Sequence, residues 1–207
     1  MRLADGSARV FSALFHPLFI PTLGMFILLQ LNTYIHFSVS HEARRFIILI
    51  VFINTAIAPV LSVLILKRTG YVRNFLLDDR GERIFPLLIA TVLFFMTYYL
   101  LRQIPLPSLI YFYAMGATLV VLLTLLISFL WKISIHMVSL GGFSAFLILT
   151  SVVLGVNIPW LIMAAFMVSG FTGASRLQLD AHSPAQVYAG YMLGFSVMFL
   201  LYFYVGS

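Results

Sequence analysis

Apolar residues in this chain come in runs of about twenty, separated by short clusters of charge, proline and glycine, with no strand-like alternation. Runs of that length match the helix needed to cross a bilayer core. Lipid leaves no outside partner for backbone N–H and C=O groups, so such runs must be helical. The pattern predicts helices at 11–31, 46–66, 85–101, 108–130, 133–155, 158–174 and 185–205. The run 85–101 is close to the short limit, and Pro17 and Pro21 can break the first helix. The expected fold is therefore all-α, a polytopic transmembrane helical bundle of six or seven spans. Connections are short and no linker or low-complexity stretch intervenes, which predicts a single integral membrane domain over 1–207.

Several helix starts carry their own chemistry. Ser183-Pro184-Ala185-Gln186 offers a capping serine, proline at the first helical position and glutamine three residues after the cap. Asn157 with Pro159, and Ser108 after Pro107, read as two further starts. Gly190 and Gly194 lie four apart in the last helix, a spacing that lets a neighbouring helix come close.

Composition agrees with a lipid environment. Of the 207 residues 62% are hydrophobic and 9% charged, against about 25% charged in a soluble domain. The mean hydropathy is +1.09. Cysteine is absent, which excludes disulfides, thiol chemistry and cysteine-based metal sites. A net charge of +6 in such a chain need not mean nucleic acid, and no nucleic-acid partner is expected: lysines and arginines can set topology, hold anionic headgroups or bind a phosphorylated substrate. The N-terminal run is long, bears two prolines and lacks a small-residue cleavage site, so it reads as a retained helix.

With seven spans, the N-terminus and the connections near 67–84, 131–132 and 175–184 fall on one face. That face gathers Arg2, Arg9, Lys67, Arg68, Arg73, Arg80, Arg83, Lys132 and Arg176, and leaves Arg44, Arg45 and Arg102 opposite. The positive-inside rule accounts for much of this bias and would make the crowded face cytoplasmic. It does not account for His136 and His182, which stand at two helix starts on the same face, since ionisable groups at membrane depth are costly and tend to be functional. Helix N-termini offer unpaired N–H groups and partial positive charge to a phosphate, and arginine grips phosphate oxygens in pairs. Two histidines beside such an anion can divide labour: a neutral imidazole attacks phosphorus and a protonated one serves the leaving oxygen.

The stretch Ser175-Arg176, five residues, then His182 resembles the third signature motif of the type 2 phosphatidic acid phosphatase superfamily. These are membrane lipid phosphatases related to bacterial acid phosphatases and vanadium haloperoxidases. Ser134 and His136, in "KISIH", match that family's second motif, and two helices separate the pair as the family requires. The resemblance covers 132–205 best. It implies a phosphohistidine route without metal or other cofactor, acting on a phosphate monoester or diphosphate of a lipid: polyprenyl diphosphate, phosphatidic acid or phosphatidylglycerol phosphate. It assigns His182 as nucleophile, His136 as acid for the leaving group and Gln186 as orienter of His182. Arg176, Ser134, Ser175 and Lys132 become phosphate ligands. Arg80 and Arg83 are the candidates for the first motif, Arg73 taking the place of its lysine if Arg80 is the match. The family places its site on the outer side of the bacterial cytoplasmic membrane. This chain departs from the pattern in having Gln186 for the orienting aspartate, and Ile133 and Ile135 for a proline and a glycine.

Other readings compete. Gln186 can be the reciprocal partner of Ser183 in a capping box, Ser134 a plain helix cap, and Asp180 a partner of Arg176. His16, beside Pro17, reads as a polar group at a kink. His36 and His41 read as a solvated connection, and Trp131 as an interface anchor. Asp78-Asp79 with Glu82 could hold Mg²⁺ against a diphosphate in a prenyl or phosphoalcohol transferase, or cap a helix. A non-catalytic relative that binds or moves an anionic lipid is the remaining alternative.

Overall fold

The computed structural model describes residues 6, 10–73 and 79–205, with the backbone alone at Arg80 and at 203–205. The described residues contain no strand. The helices are α1 (Ile20–Gln30), α2 (Tyr34–Ser38), α3 (His41–Arg68), α4 (Arg80–Arg102), α5 (Ser108–Ser128), α6 (Ile135–Leu154), α7 (Pro159–Gln178) and α8 (Pro184–Val205). Six of them, α3 to α8, are long and apolar enough to cross a membrane.

The predicted helix 11–31 is not continuous. Residues 10–14 are helical, residues 15–19 turn, and α1 begins only at Ile20. Pro17 lacks an N–H and disfavours helical geometry at His16, so the helix cannot pass through it. Pro21 falls in the first turn of α1, where a missing N–H is tolerated. At 11 residues and about 1.5 Å per residue, α1 is roughly half the length of a bilayer core. The break at Pro17 thus leaves six long apolar helices among the described residues.

The chain divides into two compact units, Pro21–Trp131 on the one hand and Met1–Ile20 with Lys132–Ser207 on the other.

In the Pro21–Trp131 unit, α3 carries a widened turn at Ile53–Ile57, where the Ala58 N–H reaches back five residues to the Ile53 carbonyl. Pro59 lies just beyond, and the extra residue makes room for its ring. The Thr55 hydroxyl from this turn lies 3.4 Å from that of Thr22. Gly24 is obligatory in α1, because a Cβ there would stand 2.1 Å from the Tyr113 hydroxyl. Tyr111 clasps the α4–α5 connection: its hydroxyl accepts from the Leu106 N–H at 2.6 Å and donates to the Ile104 carbonyl, while Arg102 lies over its ring.

In the other unit α6 is the central element. Two thirds of its span is buried (67%), against 28% for α7 and 22% for α8. Gly190 and Gly194 of α8 do what their spacing predicts. A Cβ at Gly194 would meet the Val138 carbonyl at 1.9 Å, and one at Gly190 the Ser134 carbonyl at 2.8 Å. Gly141 of α6 answers from the other side, 2.1 Å from the Tyr191 carbonyl. Residue 190 lies by 134 and residue 194 by 138, so α6 and α8 run parallel and start at the same end. Helix α7 returns between them. Where Gly173 passes, Val187 and Met137 stand 3.4 and 3.5 Å from its Cβ position.

Candidate functional site

The parallel course of α6 and α8 brings their first turns together, and the Ser134 N–H donates to the Gln186 carbonyl at 3.3 Å. Helix α7 delivers its last turn, with Arg176, to the same end. It stops there because Asp180 adopts a left-handed conformation (φ 49°), with the Asp180 and Ala181 N–H groups bonded back to the Leu177 and Arg176 carbonyls. Asp180 is exposed and acts as the helix stop, in a position glycine usually takes.

At the start of α8, Gln186 serves as a helix cap and also touches His182. Its N–H donates to the Ser183 hydroxyl at 3.4 Å, and its Oε1 accepts from the Ser183 N–H at 3.2 Å, a complete capping box. The same Oε1 lies 3.0 Å from His182 Nδ1. The Ser183 N–H can only donate, which identifies the amide atom as oxygen. His182 Nδ1 must then be the protonated nitrogen, and the lone pair sits on Nε2. The His182 side chain is buried, 8% exposed.

His136, in the first turn of α6, is fixed in the opposite sense. Its Nε2 lies 3.1 Å from the Ser12 carbonyl, an acceptor only, so Nε2 carries the proton and Nδ1 the lone pair. The His16 ring stands edge-on to it, with centroids 5.4 Å apart and planes at 77°. Arg176, His16 and His182 all lie within electrostatic reach of His136. His16 itself lies outside the long spans. Burial, and after it the Arg176 guanidinium, holds its pKa below the ordinary imidazole value.

Ser134 occupies the cap position of α6, but its hydroxyl makes no capping bond. It is completely buried and has no hydrogen-bond partner among the described residues. The hydroxyls of Ser12, in the N-terminal segment, and Thr172, one turn before Arg176, are in the same condition. Buried polar atoms in native proteins are nearly always satisfied, so these hydroxyls are available to further hydrogen-bond partners. Ser175 differs, since its hydroxyl donates to the Phe171 carbonyl of its own helix at 2.8 Å. Lys132 is half-buried immediately before α6.

Arg83 is buried, 4% exposed, and belongs to the Pro21–Trp131 unit. The side chain of Arg80, at the first position of α4, lies outside the described residues. Of the aspartate-rich cluster, Asp78 lies outside them too. Asp79 caps α4 by accepting from the Gly81 N–H, and Glu82 accepts from the Arg73 N–H and pairs with the exposed Arg73 guanidinium at 3.9 Å. These two carboxylates are occupied in starting a helix and tying down the chain before it.

Two members of the cluster were not foreseen from the sequence. His16 reads there as a kink residue, and Ser12 enters through a main-chain carbonyl, which no side-chain motif can announce. The available signal is that His-Pro at 16–17 interrupts an apolar run at membrane depth. Thr172 was equally silent, one hydroxyl in an apolar helix. No family model, curated protein or solved structure matches this chain.

Proposed function

We propose that the chain is a membrane lipid phosphatase, a divergent relative of the type 2 phosphatidic acid phosphatases, that hydrolyses a lipid phosphate monoester or diphosphate through a phosphohistidine. The observation that carries this reading is the bond from His182 Nδ1 to Gln186 Oε1, which leaves the nucleophilic lone pair on Nε2 at an end of the unit that also holds Arg176 and His136.

The chemistry follows from these atoms. Phosphate enters among the Arg176 guanidinium, the Ser134 hydroxyl and the first turns of α6 and α8, whose N–H groups and partial positive charge suit an anion. The Nε2 lone pair of His182 attacks phosphorus and forms an N–P bond while the P–O bond to the lipid breaks. His136, which takes up a proton on Nδ1 once the bound phosphate's negative charge offsets that of Arg176, gives this proton to the departing oxygen. Water then attacks phosphorus, His136 Nδ1 takes up the water proton, the N–P bond breaks and inorganic phosphate leaves. Gln186 holds the tautomer that the first step needs, but being neutral it cannot offset the positive charge that develops on His182. In a serine protease the corresponding change from aspartate to its amide cost about 10⁴ in turnover, so a slow enzyme is expected.

Polyprenyl diphosphate, phosphatidic acid and phosphatidylglycerol phosphate all present the required group. The resemblance puts the site on the outer face of a bacterial cytoplasmic membrane. The test is phosphate release from these lipids by the full-length protein in chelator, together with an acid-labile phosphoryl label on histidine. Release with the label supports the reading. Absence of both, with lipid phosphate still bound, overturns it in favour of a non-catalytic lipid-binding protein, a second reading that the neutrality of Gln186 favours.

A further inference from the structure

We infer that His16 is a third histidine of the site, a positioning residue that, together with the Ser12 carbonyl, clamps the His136 ring so that Nδ1 is its proton-exchanging nitrogen. This role rests on the phosphatase reading for its catalytic consequence, but not for its geometry.

The N-terminal segment is built as an arm for this purpose. The helical turn at 10–14 ends before His16, so the Ser12 carbonyl, near the end of that turn, and the His16 ring, in the bend before Pro17, both meet His136. The Ser12 carbonyl accepts from the His136 Nε2–H at 3.1 Å, and the His16 ring abuts the imidazole edge-on with centroids 5.4 Å apart. A single hydrogen bond leaves a ring free to swing about that bond; an edge-on neighbour blocks the swing. The Leu18 N–H points at His16 Nδ1 from 3.4 Å, so the clamping ring is itself held in one tautomer, with its proton on Nε2. The charged and titratable groups that face the pair are Arg176 of α7 and His182 before α8. With Arg176 so near, a second positive charge on His16 is disfavoured, and the ring next to the proton donor stays neutral. Pro17 supplies the bend that turns His16 away from a continuous helix.

A clamp on the acid, as opposed to a support for the fold, shows in which leaving groups suffer. An alkoxide departing from an alkyl or lipid phosphate needs the His136 proton, whereas a phenolate departing from an acidic aryl phosphate needs it little. His16→Ala in the full-length protein should lower kcat on the alkyl phosphate about tenfold more than on the aryl phosphate, with KM little changed, because general acids contribute roughly 10²–10⁴ and a loosened one forfeits part of that. His16→Phe, which keeps an edge-on ring, should recover most of the loss. His136→Ala should show the same leaving-group split, and adding His16→Ala to it should cost little more, since the two act as one element. Equal losses on both substrates, or full additivity with His136→Ala, would overturn the inference.

If the wild-type protein releases phosphate from neither substrate, the phosphatase reading fails and the clamp is judged by nitrogen NMR of histidine-labelled protein in micelles. A His136 spectrum with the proton on Nε2 that becomes a tautomer mixture in His16→Ala upholds the clamp, and an unchanged spectrum sinks it.

Discussion

Each unit of this protein contains a histidine–arginine grouping, and the two put the same side chains to different use. In the Pro21–Trp131 unit, His36 Nδ1 lies 2.8 Å from the Leu29 carbonyl, and Arg44 Nη1 stands against the same ring, 2.5 Å from Nδ1 and 2.8 Å from Nε2. These contacts tie α2 to α1 and α3. In the other unit His136 gives one nitrogen to a carbonyl and keeps the second, and His182 has its proton fixed on the Gln186 side. Buried hydroxyls without partners among the described residues occur in both units, Ser12, Ser134 and Thr172 in the one and Thr33, before α2, in the other, so they do not separate the two groupings. A histidine beside an arginine is thus not a site in itself. What matters is which nitrogen the fold ties to an acceptor, Nε2 of His136 to the Ser12 carbonyl and Nδ1 of His182 to Gln186 Oε1.

The sharpest way to break this contrast is His182→Ala, which should lower phosphate release from a lipid phosphate by roughly 10³-fold or more, as loss of a covalent nucleophile does elsewhere. Retained release would remove His182 from the mechanism. Next in size is Gly194→Ala, which drives a methyl against the Val138 carbonyl and the Gly142 N–H group. Backbone cannot step aside as a side chain can, so a loss of about 3 kcal/mol is expected, read as thermal unfolding in micelles. Gly170→Ala meets nothing within 4 Å and serves as the neutral comparison.

Gln186→Glu keeps the capping box, since glutamate serves it as well as glutamine, and adds the missing charge beside His182. Turnover should rise about tenfold or more, a fraction of what a charged orienter supplies in a serine protease; a fall would argue that Gln186 is a cap alone. His36→Gln, in the closed grouping, should leave phosphate release within about twofold of wild type and cost roughly 1 kcal/mol, the worth of an ordinary hydrogen bond.

The smallest effect concerns pH. Because the His16 pKa is lowered in the folded protein, the unfolded chain takes up its proton first as pH falls. Stability is then full above about pH 6.5, the ordinary imidazole value, and declines below it. Thermal midpoints measured across that range should slope less in His16→Phe.

Much of this molecule could be read from residue order, and the misses have a common cause. Long apolar runs announce spans because lipid admits few alternatives, and the observed ends differ from the expected ones by a few residues, as with 46–66 against His41–Arg68. The exception, 11–31, broke at prolines that were visible in the sequence. The capping box at Ser183, the helix start at Ser108 and the close approach at Gly190 and Gly194 are local or one-helix properties, and they were legible for that reason. Less legible was that Gln186 Oε1 accepts from two donors at once, since one of them belongs to a side chain whose rotamer depends on its neighbours. Ser134 looked like a cap and is a buried hydroxyl, because α8 crosses its turn.

The amino-acid order by itself determined that this is an all-helical chain with spans suited to lipid, that charge concentrates in the connections and at helix ends, and that α8 must be approached closely by another helix. Hydrophobic length and glycine spacing act through backbone geometry, which needs no partner to be specified. Only the tertiary structure decided that α6 and α8 run parallel with their first turns joined, that the N-terminal arm brings Ser12 and His16 to His136, and which nitrogen of His136 faces an acceptor. The last two depend on groups more than a hundred residues apart meeting within contact distance, and a periodicity along the chain carries no information about such meetings.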